Sequence, residues 1–141
     1  MNTNIRCIAR GASIALLACL VCQGALARGK NDPVPDGWVV IRSGQANKDS
    51  NYANETRIGD RYFNISALCA PRNTNPDALA STDTTRDWSG SELWQTSSST
   101  IIANKKQSGK IVKDEQAGNP NHCLINDVDV TAIKGVWHKV R

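Results

Sequence analysis

Near the end of the chain, Asn121–Val140 reads NHCLINDVDVTAIKGVWHKV. Val128, Val130 and Ala132 alternate with Asp127, Asp129 and Thr131, the period-two pattern of a strand with one buried face. Cys123 stands at the head of that strand. Its partner, if it has one, fixes which distant segment lies beside the strand.

Working outward, the chain carries five cysteines: Cys7, Cys19, Cys22, Cys69 and Cys123. Three of them fall in the opening segment, MNTNIRCIARGASIALLACLVCQGALA. Arg6 and Arg10 come first with no acidic residue, an apolar run follows from Ile14 to Val21, and Ala25-Leu26-Ala27 forms a small-x-small site. This is the layout of a secretory signal peptide over residues 1–27, cleaved after Ala27. The alternative is a lipoprotein signal, with Leu16-Leu17-Ala18 ahead of Cys19. That alternative leaves apolar Leu20 and Val21 at the mature start and gives the second small-x-small site no purpose. The apolar run is far short of the ~18–20 residues of a membrane span, and no later segment comes closer. The expected product is one small domain, residues 28–141, secreted or periplasmic, with no membrane span.

Cleavage after Ala27 removes three cysteines and leaves Cys69 and Cys123. An even pair in an exported small domain points to one disulfide, and only one connectivity exists. The bridge closes a loop of about fifty residues, on the order of 3–4 kcal/mol in the chain-entropy model. The alternative is two buried free thiols. Cys69, Cys123, His122 and His138 do not form a metal-ligand spacing.

The formal net charge of +4 falls to about +2 without Arg6 and Arg10. No basic run or patch stands out, so nucleic acid is not an expected partner. Four of the seven aromatic residues are tryptophans: Trp38, Trp88, Trp94 and Trp137.

Residues 28–36, RGKNDPVPD, read as a loose leader. Trp38–Ile41 is a dense β-forming run, followed by a polar excursion through residue 56. Arg61–Cys69, RYFNISALC, is a second strand, with Tyr62, Asn64 and Ser66 on one face and Phe63, Ile65 and Ala67 on the other. Pro71 and Pro76 break regular structure in the segment that follows. Leu93, Trp94, Ile101, Ile102 and Lys105 fall at helical spacings. The poor helix formers Thr96–Thr100 confine the helix to Ser97–Gln107, with Ser97 or Ser98 as cap and Gly109 after its end. Trp94 is read as core on that helical face. Ile111-Val112 opens another strand, Glu115–Asn121 is a turn-rich link, and Leu124–Val140 supplies one or two strands, with Gly135 at a bulge or turn. The order strand, strand, helix, strand, strand gives a β-rich α+β domain: a small twisted sheet or barrel with one helix.

"IIANKKQSGKIV" (101–112), a cysteine, "IKGVW" (133–137), and "RYFNISALC" (61–69) near the first cysteine resemble small exported bacterial proteins similar to the B subunits of subtilase-cytotoxin and pertussis-like AB-type toxins. The resemblance covers about half of the mature chain, mostly its C-terminal half. It implies an OB-like fold, non-catalytic recognition of a glycan, and assembly into a homo-oligomer. The sialic-acid-binding residues of those subunits have no counterpart in "PDGWVVIRSG" (35–44), so no site residues carry over.

Two function classes follow. The first is a secreted or periplasmic non-catalytic binding module for a glycan or a protein partner. Its expected binding residues are Arg86, Asp87 and Trp88 in "TTRDWSGSELW", where a ring flanked by charge and hydroxyls suits sugar or protein recognition. The bland alternative has Trp88 closing one end of the sheet. The second class is a small exported hydrolase or ribonuclease using His122 and His138 as an acid–base pair. Asp127, Asp129, Glu115 and Lys110 are further candidates. No nucleophile elbow, phosphate loop or metal motif is present, and no cofactor is expected.

Overall fold

The computed structural model describes residues 31–103 and 107–141. The signal peptide, its cleavage after Ala27 and the lipoprotein alternative at Cys19 lie outside the described residues, as do positions 104–106 of the expected helix.

The run VVIRS forms β1 (Val39–Ser43), and Val39, Val40, Ile41 and Arg42 are all buried. A continuous apolar strand is what a sheet covered on both faces requires. On one side β1 pairs antiparallel with β4 (Ile65–Ala70), in the register Ile41↔Leu68. On the other it pairs with β5 (Leu93–Ser97), with Arg42 opposite Trp94. Beyond β5 lies the two-residue β8 (His138–Lys139), and beyond β4 lies β7 (His122–Asp129). The long strand β7 takes β4 along its first half and β3 (Arg61–Phe63) along its second, and its other edge pairs with β6 (Gln107–Lys113). The hairpin partner of β3 is β2 (Thr56–Ile58). The result is one eight-stranded antiparallel sheet, a small β-rich α+β fold. Among the described residues no pairing joins β6 to β8, so the sheet stays open where a closed barrel was one expectation.

Cys69 and Cys123 are bonded, with Cα atoms 5.9 Å apart. The register explains the proximity: Ala67 faces Cys123, and the Cys69 amide donates to the Asn121 carbonyl at 2.9 Å, so the two cysteines are diagonal neighbours on one face.

Residues 61–69 do not form one alternating strand. Asn64 takes φ +56° and separates β3 from β4. Tyr62 therefore joins Ile65 and Ala67 in the same core instead of opposing them. The neighbouring strand changes phase at the same level, where Asp127 takes φ +55° and Val128 follows Cys123 and Ile125 into that core. Asn and Asp tolerate the left-handed region better than most residues, so the kink falls on them.

The alternation through Ala132 also stops early. Asp129 ends β7, and its Oδ1 accepts from the amides of Thr131 (2.8 Å) and Ala132 (2.7 Å). This starts the 3₁₀ turn Ala132–Val136, which contains Gly135 and buries Ile133.

Two apolar clusters cover the sheet. The larger holds Val40, Ile65, Cys69, Ile111, Cys123 and Ile125 among others, and the smaller holds Val39, Ile41, Leu68, Leu79, Trp88 and Leu93. The polar excursion after β1 belongs to the larger cluster. Its 3₁₀ turn Asp49–Tyr52 buries Tyr52, which stacks on Tyr62 at 5.2 Å and donates to the Ala46 carbonyl at 2.6 Å. The leader is pinned from Asn31 to Val34: the Val34 amide donates to the Ile111 carbonyl and the Lys113 amide to the Asp32 carbonyl, each at 2.8 Å. Val34 is in the core.

Among the described residues there are two α-helices, where one was expected. Pro76 opens α1 (Pro76–Ala80), since a first helical position needs no amide donor. Asn75 caps it by accepting from the amides of Asp77 and Ala78. The second, α2 (Ser98–Ala103), begins at the expected serine, with Ser97 Oγ accepting from the Thr100 amide. It is shorter than expected, because Leu93–Ser97 is strand and Gln107 already belongs to β6. Leu93 and Trp94 sit on opposite sides of β5, one in each cluster's reach. Trp94 is thus a half-buried strand residue, not helix core.

Candidate functional site

A cavity of about 250 Å³ lies where β1, β4 and β7 meet the loop between α1 and β5. Its floor comes from the face that also carries the smaller cluster. Ser43, Ser66, Leu68 and His122 project there, and the polar members stand at the rim of the apolar ones.

Arg42 closes the apolar run of β1 and is only 7% exposed. Such a charge needs partners, and it has them. Nε donates to Asn51 Oδ1, Nη1 to the Ser66 carbonyl at 2.6 Å, and Nη2 to the Asn51 carbonyl at 2.7 Å and to Glu55 Oε1 at 2.6 Å. Its guanidinium also lies 4.9 Å from the centre of the Tyr52 ring. The post-β1 excursion thereby becomes one wall of the cavity.

The opposite wall is Asp83–Trp88. Trp88 is 7% exposed and packs in the smaller cluster, so it is not the exposed ring expected from its polar surroundings. Its Nε1 donates to Asp83 Oδ2 at 3.0 Å, and the Arg86 guanidinium lies 3.7 Å from its ring centre. Arg86 also donates to Ser43 Oγ across the cavity and faces Asp83 Oδ2 at 3.7 Å. Burial raises the Asp83 carboxyl pKa, but hydrogen bonds from Thr85 and Trp88 and the charge of Arg86 outweigh it and hold it below the usual carboxylate value. The loop is fixed from below at Gly118. The Thr84 amide donates to the Gly118 carbonyl at 2.7 Å, and at φ +77° a Cβ there would come within 2.8 Å of Thr84 Oγ1.

Asp87 takes no part in this cavity. It is exposed, accepts from the Ser89 amide (2.8 Å) and hydroxyl (2.9 Å), and borders a separate groove with Arg86, Trp88 and Arg141. Of the three expected binding residues, Arg86 and Trp88 line the cavity and Asp87 does not.

Three adjacent strands deliver a row of polar groups to the remaining wall. Ser66 is opposite Leu124 and Leu68 is opposite His122, so Ser66 and His122 are diagonal neighbours on the same face. His122 Nε2 lies 2.8 Å from Ser66 Oγ. Asp114 follows directly after β6, its amide bonded to the His122 carbonyl, and its Oδ2 lies 3.0 Å from His122 Nδ1. The Asp114 carbonyl is 3.1 Å from the same nitrogen. Nδ1 also lies 3.1 Å from Gln116 Nε2, so that nitrogen faces two oxygens and an amide, while Nε2 faces the serine hydroxyl. His122 is therefore a buried, doubly anchored ring.

His138 is exposed on β8, with β5, β1 and β4 between it and β7, and it borders another cavity with Gln95. The two histidines do not face each other, which removes the geometry of an acid–base histidine pair. Asp127 bonds Arg61 at 2.9 Å, Asp129 caps the 3₁₀ turn, Lys110 is exposed on β6, and Glu115 borders a small cavity beside Trp38. None of these four lines the cavity beside Arg42 and Trp88. Sequence patterns missed Arg42, Asp83, Ser66 and Asp114. Only Arg42 left a signal, as a charge directly after an apolar run.

Among the described residues no group of three or more His, Cys, Asp or Glu side chains could hold a metal ion, and no helix is long and apolar enough to cross a membrane. In comparisons with protein-family models, curated proteins and solved structures, nothing matches this chain.

Proposed function

We propose that the protein is a secreted or periplasmic recognition module whose cavity takes a glycan. The observation that carries this reading is the composite wall of Arg86, Trp88 and Asp83 facing Ser43 and the Arg42–Glu55 pair. Each cation there already has a carboxylate partner. The cavity therefore favours a ligand rich in hydroxyl groups, which can donate and accept by turns, over a bare anion. A handful of fixed polar groups in a concave site is what orients a small ligand in a pocket. The resemblance to toxin B subunits supports the same class of ligand and, with it, a homo-oligomer; Arg6 and Arg10, the apolar run from Ile14 to Val21 and Ala25-Leu26-Ala27 support a signal peptide cleaved after Ala27. The disulfide suits an oxidising compartment.

A glycan array followed by calorimetry on the best ligand tests this. Arg86→Ala should weaken binding about tenfold or more, the scale of one lost charge-assisted hydrogen bond. Unchanged affinity in that variant, or retention of no glycan by the folded wild-type protein, would remove the reading in favour of a protein partner.

A further inference from the structure

The row Asp114–His122–Ser66 has no role in ligand recognition as described above, yet Ser66 and His122 border the same cavity, with Asp114 behind the ring. A histidine that only ties β4 to β7 needs one partner. Here both ring nitrogens are engaged, the ring and the carboxylate behind it are largely buried (8% and 13% exposed side chains), and the hydroxyl end is the exposed one. That polarity, from buried acid through a fixed ring to an exposed hydroxyl, is the arrangement that activates a serine.

We propose that Ser66 is a nucleophile, with His122 as its general base and Asp114 as the residue that positions the ring, and that the cavity hydrolyses short acyl esters of hydroxylated ligands. A cavity of about 250 Å³ has room for a short acyl group beside Ser66.

The steps balance with water as the only co-reactant. Ser66 Oγ attacks the ester carbonyl and its proton passes to His122 Nε2. The carbonyl π pair moves onto oxygen to give the tetrahedral adduct. When the tetrahedral adduct collapses, the C–O bond to the alcohol breaks. The alcohol oxygen leaves with the electron pair and takes the proton from Nε2. Water then attacks the acyl-serine by the same route, His122 takes its proton and returns it to Oγ, and a carboxylic acid is released.

This goes beyond glycan recognition and does not depend on it. Labelling with a fluorophosphonate, read by peptide mass spectrometry, needs no glycan, and array binding needs no turnover, so the two readings fail separately. The expected result is an adduct on Ser66 of the folded, disulfide-bonded protein and hydrolysis of p-nitrophenyl acetate. Ser66→Ala should abolish both, and His122→Gln should slow labelling by about 10²-fold or more. If His122→Gln is misfolded by near-UV circular dichroism, Asp114→Asn takes its place with slower labelling again expected. An unlabelled Ser66 in the folded wild type, or equal labelling rates in wild type and the folded ring or carboxylate variant, would overturn the proposal.

Discussion

Asp83 joins stability to the cavity wall. It is 5% exposed, and despite that burial its pKa lies below that of a free carboxyl because Thr85 and Trp88 donate to it and Arg86 faces it. A depressed folded pKa means that the charged form contributes stability in full above the unfolded value of about 4, and that this is lost as pH falls through the lower folded value. Asp83→Asn should therefore be less stable than the wild type at pH 7, with a gap that narrows toward pH 3. Urea unfolding at both pH values measures it, and a gap that widens on acidification would contradict the assignment. Arg42 shows the complementary rule: a buried cation persists here because Asn51, Ser66 and Glu55 occupy most of its donors.

Among the elements, α1 carries the cavity wall while having only five residues. Its cap, Asn75, supplies acceptors to two otherwise unpaired amides, so Asn75→Ala should cost about 1 kcal/mol in urea unfolding, with local amide exchange rising in the 76–80 segment. Pro76 hid this helix, because the same residue that breaks a helix interior is favoured at its first turn. The kink at Asn64 and Asp127 was hidden for another reason. An Asn or Asp at φ near +55° is, in sequence, indistinguishable from a polar residue on a strand's solvent face. Leu93–Ser97 fell to the helix–strand ambiguity of short apolar segments, settled here by five paired positions with β1. The apolar run of β1, the serine start of α2 and the Cys69–Cys123 bridge were legible, because each rests on local chemistry or on elimination. His122 stood out as a candidate, but Ser66 and Asp114 beside it did not, because only strand register brings the three into line.

At the scale of the molecule, the bridge between β4 and β7 encloses a sequence separation of 54 residues inside the larger cluster. Reduction, or Cys69→Ala with Cys123→Ala, should lower stability by on the order of 3–4 kcal/mol, read as a lower urea midpoint; an unchanged midpoint would place the stability elsewhere. The position of β7 has a temporal consequence. It is the last long strand in the chain, yet it lies between β6 and the β3–β4 side of the sheet. A chain emerging from its N-terminus reaches Ala70 with the far edge of β4 still open, and Cys69 waits more than fifty residues for its partner. Assembly of the sheet is thus held back until residues 122–129 arrive, since β3, β4 and β6 all pair with a strand that follows them in the chain.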